Sequence, residues 1–203
     1  MKVATILGRL AGKLPIHARS SWIAIAAVLL PLALPAVAVS WPNERNGWMI
    51  GLGVGGGSSG ISANGQSSDR ESGAAASVRT GYVFTPELAA GLETNVWTKD
   101  INGVTFTFSV AAAALTFYPG GQGFFARGGV GAGSVELETK VGSTTITGSD
   151  SGLGLTGGLG YEWRVTRSLA LAPQVDYGFA SLNGYSVNYV NGTLQANWYF
   201  IPK

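Results

Sequence analysis

Between residues 47 and 200 the chain alternates apolar and polar side chains in segments separated by turn-forming residues. In the last segment Val190, Gly192, Leu194, Ala196, Trp198 and Phe200 share one parity, while Asn191, Thr193, Gln195 and Asn197 share the other. Successive side chains of a strand point to opposite faces, so this parity separates an apolar face from a polar one. Tyr199 is the only aromatic residue on the polar side of that segment. The same period predicts strands near 47–56, 74–84, 88–97, 105–118, 124–137, 152–165, 169–179 and 186–200. Each approaches or exceeds the roughly 9–11 residues that a strand tilted by about 45° needs to cross a bilayer. No helix of comparable quality is predicted after residue 38.

The connections are expected to alternate in length. Tight turns fall at 85–87, 119–123 and 166–168, and longer polar stretches at 58–73, 98–104, 136–151 and 180–185. Short periplasmic turns opposite longer extracellular loops are the habit of outer-membrane barrels. Aromatic side chains support that orientation, because Trp and Tyr concentrate at bilayer interfaces. The turn end is expected to carry Trp48, Tyr82, Phe84, Tyr118, Phe124, Tyr161, Trp163, Trp198 and Phe200 on the outward face. The other end is expected to carry Phe106, Phe108, Tyr177, Phe179 and Tyr189. Trp97 is an exception, falling on the inward phase of the third strand; a position in the loop or a bulge there would explain it.

A soluble β-sandwich or lipocalin-like barrel has the same period but needs a charged outer face. Here the polar face reads Met49, Gly51, Gly53, Gly55 in the first strand and Arg127, Gly129, Gly131, Gly133 in the fifth. In the sixth it reads Gly154, Thr156, Gly158, Gly160, Glu162, Arg164. Small residues suit the interior of a narrow barrel. Composition points the same way. Only 12% of residues are charged, where a soluble domain has about 25%. The expected fold is therefore all-β: an eight-stranded antiparallel transmembrane β-barrel.

The chain begins with Lys2, Arg9, Lys13 and Arg19, followed by an apolar run that ends on Ala36-Val37-Ala38. That order of basic, apolar and small-residue regions is that of a secretory signal. Cleavage is expected after Ala38, leaving 39–203 as one barrel domain with no linker to divide it. An uncleaved membrane helix is the alternative; Pro31 and Pro35 within the run argue against it. Removing the signal takes four basic residues and no acidic ones, so the net charge moves from +2 to −2. The basic isoelectric point thus belongs to the signal, and nucleic acid is not an expected partner.

Six charges fall on the lumen phase: Arg79, Glu93, Arg127, Glu162, Arg164 and Asp176. In a narrow barrel they should neutralise one another. Pairing Phe84 with Leu88 across the tight turn at 85–87 sets Arg79 opposite Glu93, within reach of an ion pair. Such a cluster either fills the lumen or forms a polar constriction that gates water and ions. The filled lumen is the reading preferred here, because eight-stranded barrels hold side chains and little else; the inward Gly and Ala leave water-filled pockets as the opposing expectation.

Catalysis is constrained by what is missing. The only histidine, His17, lies in the signal, and there is no cysteine, so the usual Ser-His-acid and Cys-His pairs are unavailable to the remaining chain. Lipid A deacylases, outer-membrane phospholipases and omptin-like proteases, which depend on a catalytic histidine, are thereby disfavoured. Asp69, Glu71, Glu136, Glu138 and Asp150 lie in the expected outer loops, but their spacing fits no oxygen-ligand cation loop. Gly51-x-Gly53-x-x-Gly56 matches a dinucleotide fingerprint in letters only, since no helix follows it. Catalytic residues, cofactors and metals are not expected.

Three stretches carry a family resemblance: Leu115-Thr116-Phe117-Tyr118-Pro119, then Phe124 through Gly133, and the closing Leu194-Gln195-Ala196-Asn197-Trp198-Tyr199-Phe200. Through them the chain resembles the small eight-stranded outer-membrane barrels of Gram-negative bacteria, the OmpA/OmpX-type β-barrel domain family. The resemblance implies an integral outer-membrane protein in contact with lipid and lipopolysaccharide. It implies that Trp198, Tyr199 and Phe200 form the terminal signal read by the barrel-assembly machinery, although Ile201-Pro202-Lys203 extends beyond the usual end. Family roles range from structural proteins and surface adhesins to narrow pores. The expected function is a structural or surface-interaction role with an unidentified loop ligand; the alternative is a narrow porin-like channel.

Overall fold

The computed structural model describes residues 45–63, 66–141 and 144–200. The expected signal, its cleavage site and the last three residues lie outside them. Eight long strands run in order: β1 (Gly47–Ala63), β2 (Glu71–Thr85), β3 (Leu88–Ile101), β4 (Val104–Phe117), β5 (Phe124–Val141), β6 (Thr144–Tyr161), β7 (Leu169–Leu182) and β8 (Tyr185–Phe200). Each pairs antiparallel with its chain neighbours. β1 also pairs with β8 from Trp48↔Phe200 to Ala63↔Tyr185, which closes the barrel. A two-residue segment, Gln66–Ser67, folds back on the end of β1. Another, Trp163–Arg164, continues β6 beyond a break at Glu162.

The exterior carries an apolar belt. Val54 is 72% exposed, Leu92 62%, Leu115 60% and Leu155 44%. On the outside of a closed barrel, where every strand finds two partners, such a surface is one that hydrocarbon covers. At the turn end an aromatic girdle closes the belt: Trp48, Phe84, Phe117, Phe124, Tyr161, Trp198 and Phe200 are all exposed. Tyr82 packs edge-on against both Trp48, at 5.5 Å, and Phe84, at 5.2 Å.

Several expectations about phase are overturned. The fourth strand faces the opposite way: its even positions, Phe108 through Tyr118, point inward, and Phe117 takes the girdle place expected for Tyr118. Directly opposed residues share a face, and Glu93 opposes Ala112 while Thr116 opposes Arg127. The neighbours' charges thus fix the phase of a strand whose own two faces are both apolar. Tyr189 also points inward and is fully buried. Of the outward aromatics expected at the second end, Tyr177 is exposed and Phe179 half-buried. Trp97 sits in regular strand, inward, with no bulge, and its indole N–H donates to the Gly57 carbonyl at 3.3 Å.

The outer loops are shorter than expected, because their residues pair. β5 and β6 remain in register up to Val141↔Thr144, and β3 and β4 up to Ile101↔Val104. Asn102 and Gly103, with φ of 53° and 80°, make the β3–β4 connection. Positive φ at both central residues is the type I′ hairpin geometry that Asn-Gly favours. The turn between β2 and β3 pairs Thr85, not Phe84, with Leu88, after a shift beyond Val83. The shift lies past Arg79, which still opposes Glu93.

The depth of the belt has a measurable consequence. Leu155→Arg, near mid-height, is expected to destabilise the barrel by about 2–4 kcal/mol, and Tyr161→Arg, at the girdle, by about 1 kcal/mol or less. Urea unfolding in lipid vesicles checks the contrast.

Candidate functional site

The interior is the place where chemistry-bearing side chains converge, and apolar clusters and charged groups pack it together. At the turn end Met49, Val83, Ala89, Tyr118, Phe125, Ala170, Ala172 and Tyr199 form an apolar cluster. At the hairpin end Trp97, Phe108, Val110, Val135, Leu182, Tyr185, Val187 and Tyr189 belong to a second. Between them lies a polar layer. The glycines of the wall face this filling. A β-carbon on Gly178 would overlap the Tyr189 ring, one on Gly160 the Phe125 ring, and one on Gly158 the Asp176 carboxylate. These three make room for large neighbours and do not leave open pockets. A void of about 10 Å³ lined by Arg79 and Arg127 has roughly the room of one water.

All six lumen charges expected from the sequence are buried, and the structure divides them into two groups. In the middle layer the Arg127 guanidinium pairs with Glu93, Nε to Oε2 at 2.6 Å, and through Nη2 with Asp176. Arg79 lies 3.5 Å from Glu93 and donates through Nη2 to Gln174 at 3.2 Å. Asp176 also accepts from Gln174 Nε2 at 2.8 Å and from Thr193 Oγ1 at 3.4 Å, while Asn95 donates to Glu93 at 3.3 Å. Two cations and two carboxylates thus balance inside one hydrogen-bonded set.

The second group sits at the turn end around Glu162. Its Oε1 accepts from Arg45 Nε at 3.0 Å and lies 3.7 Å from Arg164 Nε. Its Oε2 accepts from Tyr199 OH at 2.7 Å and from Asn197 Nδ2 at 3.0 Å. Arg45 was not anticipated, since it precedes the first strand and has no place in the alternation. It stacks 3.9 Å from the Tyr118 ring centroid and donates to the Gly121 carbonyl at 2.9 Å. Arg164 stacks at the same distance on Tyr199.

The backbone explains how Glu162 reaches this position. The β6–β7 ladder runs to Gly160↔Gln174 and resumes at Trp163↔Leu171. Pro173, lacking an N–H, stands in the gap, and a proline cannot donate to a ladder. Glu162 instead donates its own N–H to the Gly123 carbonyl at 2.7 Å. Of the three terminal residues expected to signal assembly, Trp198 and Phe200 face outward and Tyr199 faces Glu162.

At the hairpin end Lys99 and Glu71 form a partly exposed ion pair, and Arg70 donates to Ser58 Oγ at 3.0 Å. Among the described residues no three His, Cys, Asp or Glu side chains come together as metal ligands.

Removing one member of a buried charge set leaves its partner uncompensated. Glu93→Ala or Arg127→Ala is therefore expected to cost about 3–5 kcal/mol. Glu71→Ala, at the partly exposed pair, should cost about 1 kcal/mol or less. Urea titration of the three variants side by side measures the difference.

Compared with models of protein families the chain matches none, and no curated protein sequence matches it. Its architecture does match solved structures. Ail, the attachment invasion locus protein of Yersinia pestis, solved in complex with the heparin analogue sucrose octasulfate, aligns with TM-score 0.56 and 13% identity, covering 75% of this chain and 99% of Ail. Neisserial surface protein A, NspA, aligns with TM-score 0.57 and 13% identity, covering 77% of this chain and 99% of NspA. At such identities the likeness concerns architecture. Joined to the apolar belt and the closed ladder, it gives this chain the fold of the small eight-stranded outer-membrane β-barrels.

Proposed function

We propose that this chain is a non-catalytic integral protein of a Gram-negative outer membrane, with a structural or surface-interaction role. The observation that carries this reading is the interior: two apolar clusters, a balanced ionic layer and the buried group around Glu162 pack the lumen. A barrel closed in this way acts through its outer surface. The likeness to Ail, an attachment invasion locus protein, and to NspA, a surface protein, supports the same reading. A narrow channel would need open space through the barrel, where rings, ion pairs and aliphatic side chains are buried against one another.

The expected partners follow from the surface. Outer-membrane lipid covers the belt, and lipopolysaccharide meets the hairpin end. The barrel-assembly machinery engages the last strand, where Trp198 and Phe200 stand exposed on the lipid side. The hairpin end bears Asp69, Glu71, Asp100, Glu136, Glu138 and Asp150 against Arg70, Lys99 and Lys140. That excess of acid disfavours a polysulfated ligand such as the one bound by Ail and favours a cationic one or one bridged by cations.

Two experiments test the proposal. Expressed in a Gram-negative host, the protein is expected in the outer membrane, with Val39 as its first residue and a faster-migrating band when unboiled. A soluble periplasmic product would overturn this. The purified barrel is expected to show no conductance above background in planar bilayers. Steady conductance altered by Arg79→Ala or Arg127→Ala would establish the channel instead.

A further inference from the structure

We infer that Glu162 and Arg45 form a closure lock, an ionic contact that holds the first strand against the last and that is made only when the barrel has closed. The barrel has one junction that joins strands distant in sequence, the β1–β8 seam. All other long neighbours are joined by successive connections, so the seam is the last pairing that chain connectivity supplies and the one most exposed to reopening.

The contacts of Glu162 divide across this seam. Asn197 and Tyr199 lie on β8, two strands from β6, and Arg164 lies two residues on from Glu162; all three are on the same side of the junction, so their contacts with Glu162 persist when β1 leaves. Arg45, immediately before β1, lies on the other side. Its bond to Oε1 spans the mouth of the barrel, and both side chains are 0% exposed. Arg45 is further held from the β4–β5 turn, by the Gly121 carbonyl and the Tyr118 ring. Opening the seam separates this cation from its carboxylate, whereas closing it pairs the two in a buried site. The Tyr199 N–H bond to the Ser168 carbonyl, at 2.7 Å, anchors β8 to the β6–β7 connection and keeps the receiving half of the lock in place.

The test is hydrogen–deuterium exchange of the full protein folded in detergent, comparing wild type with Arg45→Gln, Glu162→Gln and the double variant. The lock predicts exchange at least tenfold faster at the seam, in residues 48–52 and 196–200, for each single variant. Amides at the centre of β3 and β4, around Leu92 and Ala113, should be unchanged. The double variant should exceed neither single one, because each alone breaks the same contact. A uniform rise around the barrel, no rise at the seam, or additive effects in the double variant would each overturn the inference. Arg45 lies outside every strand, so Arg45→Gln carries the comparison alone if Glu162→Gln does not fold. These readouts are independent of conductance and of surface binding, so the lock and the proposed function can fail separately.

Discussion

Hydrocarbon offers no partner to a backbone N–H or C=O, so strands can occupy it only when every ladder is paired and the last strand returns to the first. The pairing of β1 with β8 from Trp48↔Phe200 onward meets that requirement, and the rest of the molecule follows from it. Closure forces the outward parity to be apolar, because lipid covers it. It also forces the inward parity to fill a space too narrow to stay open. A cylinder of eight strands has room inside for little beyond its own side chains, and this one is occupied by ion pairs bracketed between layers of rings and aliphatic groups.

The ionic layer is not a source of large net stability. Desolvating four charged groups cancels much of their mutual attraction. What the layer supplies is a fixed alignment. Arg79, Glu93, Arg127 and Asp176 come from four strands, β2, β3, β5 and β7, so their pairing fits one set of registers. A slip of one residue in any of these strands would turn a charge toward lipid.

The strands and the position of Arg79 opposite Glu93 were legible in the sequence because both rest on a two-residue period. The phase of β4 was not. Its two faces, Phe108, Val110 and Ala112 against Ala111, Ala113 and Leu115, are nearly equal in hydropathy, and the deciding information lies in the strands beside it. The paired hairpins above the belt escaped for a related reason: with water on one side and little core on the other, polar residues there need no alternation to pair. Asn102-Gly103 was the available signal, a two-residue hairpin turn that shortens the connection expected over 98–104. Arg45 was invisible to any argument from period, since it lies before the first strand. Only the three-dimensional meeting of the segment before β1 with two turns reveals it.

The glycines of the inner wall bear on how this barrel can change over time. Gly178 fits only because Tyr189 occupies the space before it, and Gly160 because Phe125 does. Volume inside the cylinder is therefore shared between directly opposed residues of adjoining strands. A larger residue at one such position becomes acceptable when its counterpart shrinks. Lineages of this barrel should thus record paired exchanges between adjoining strands, with small and large trading places while the total filling stays constant.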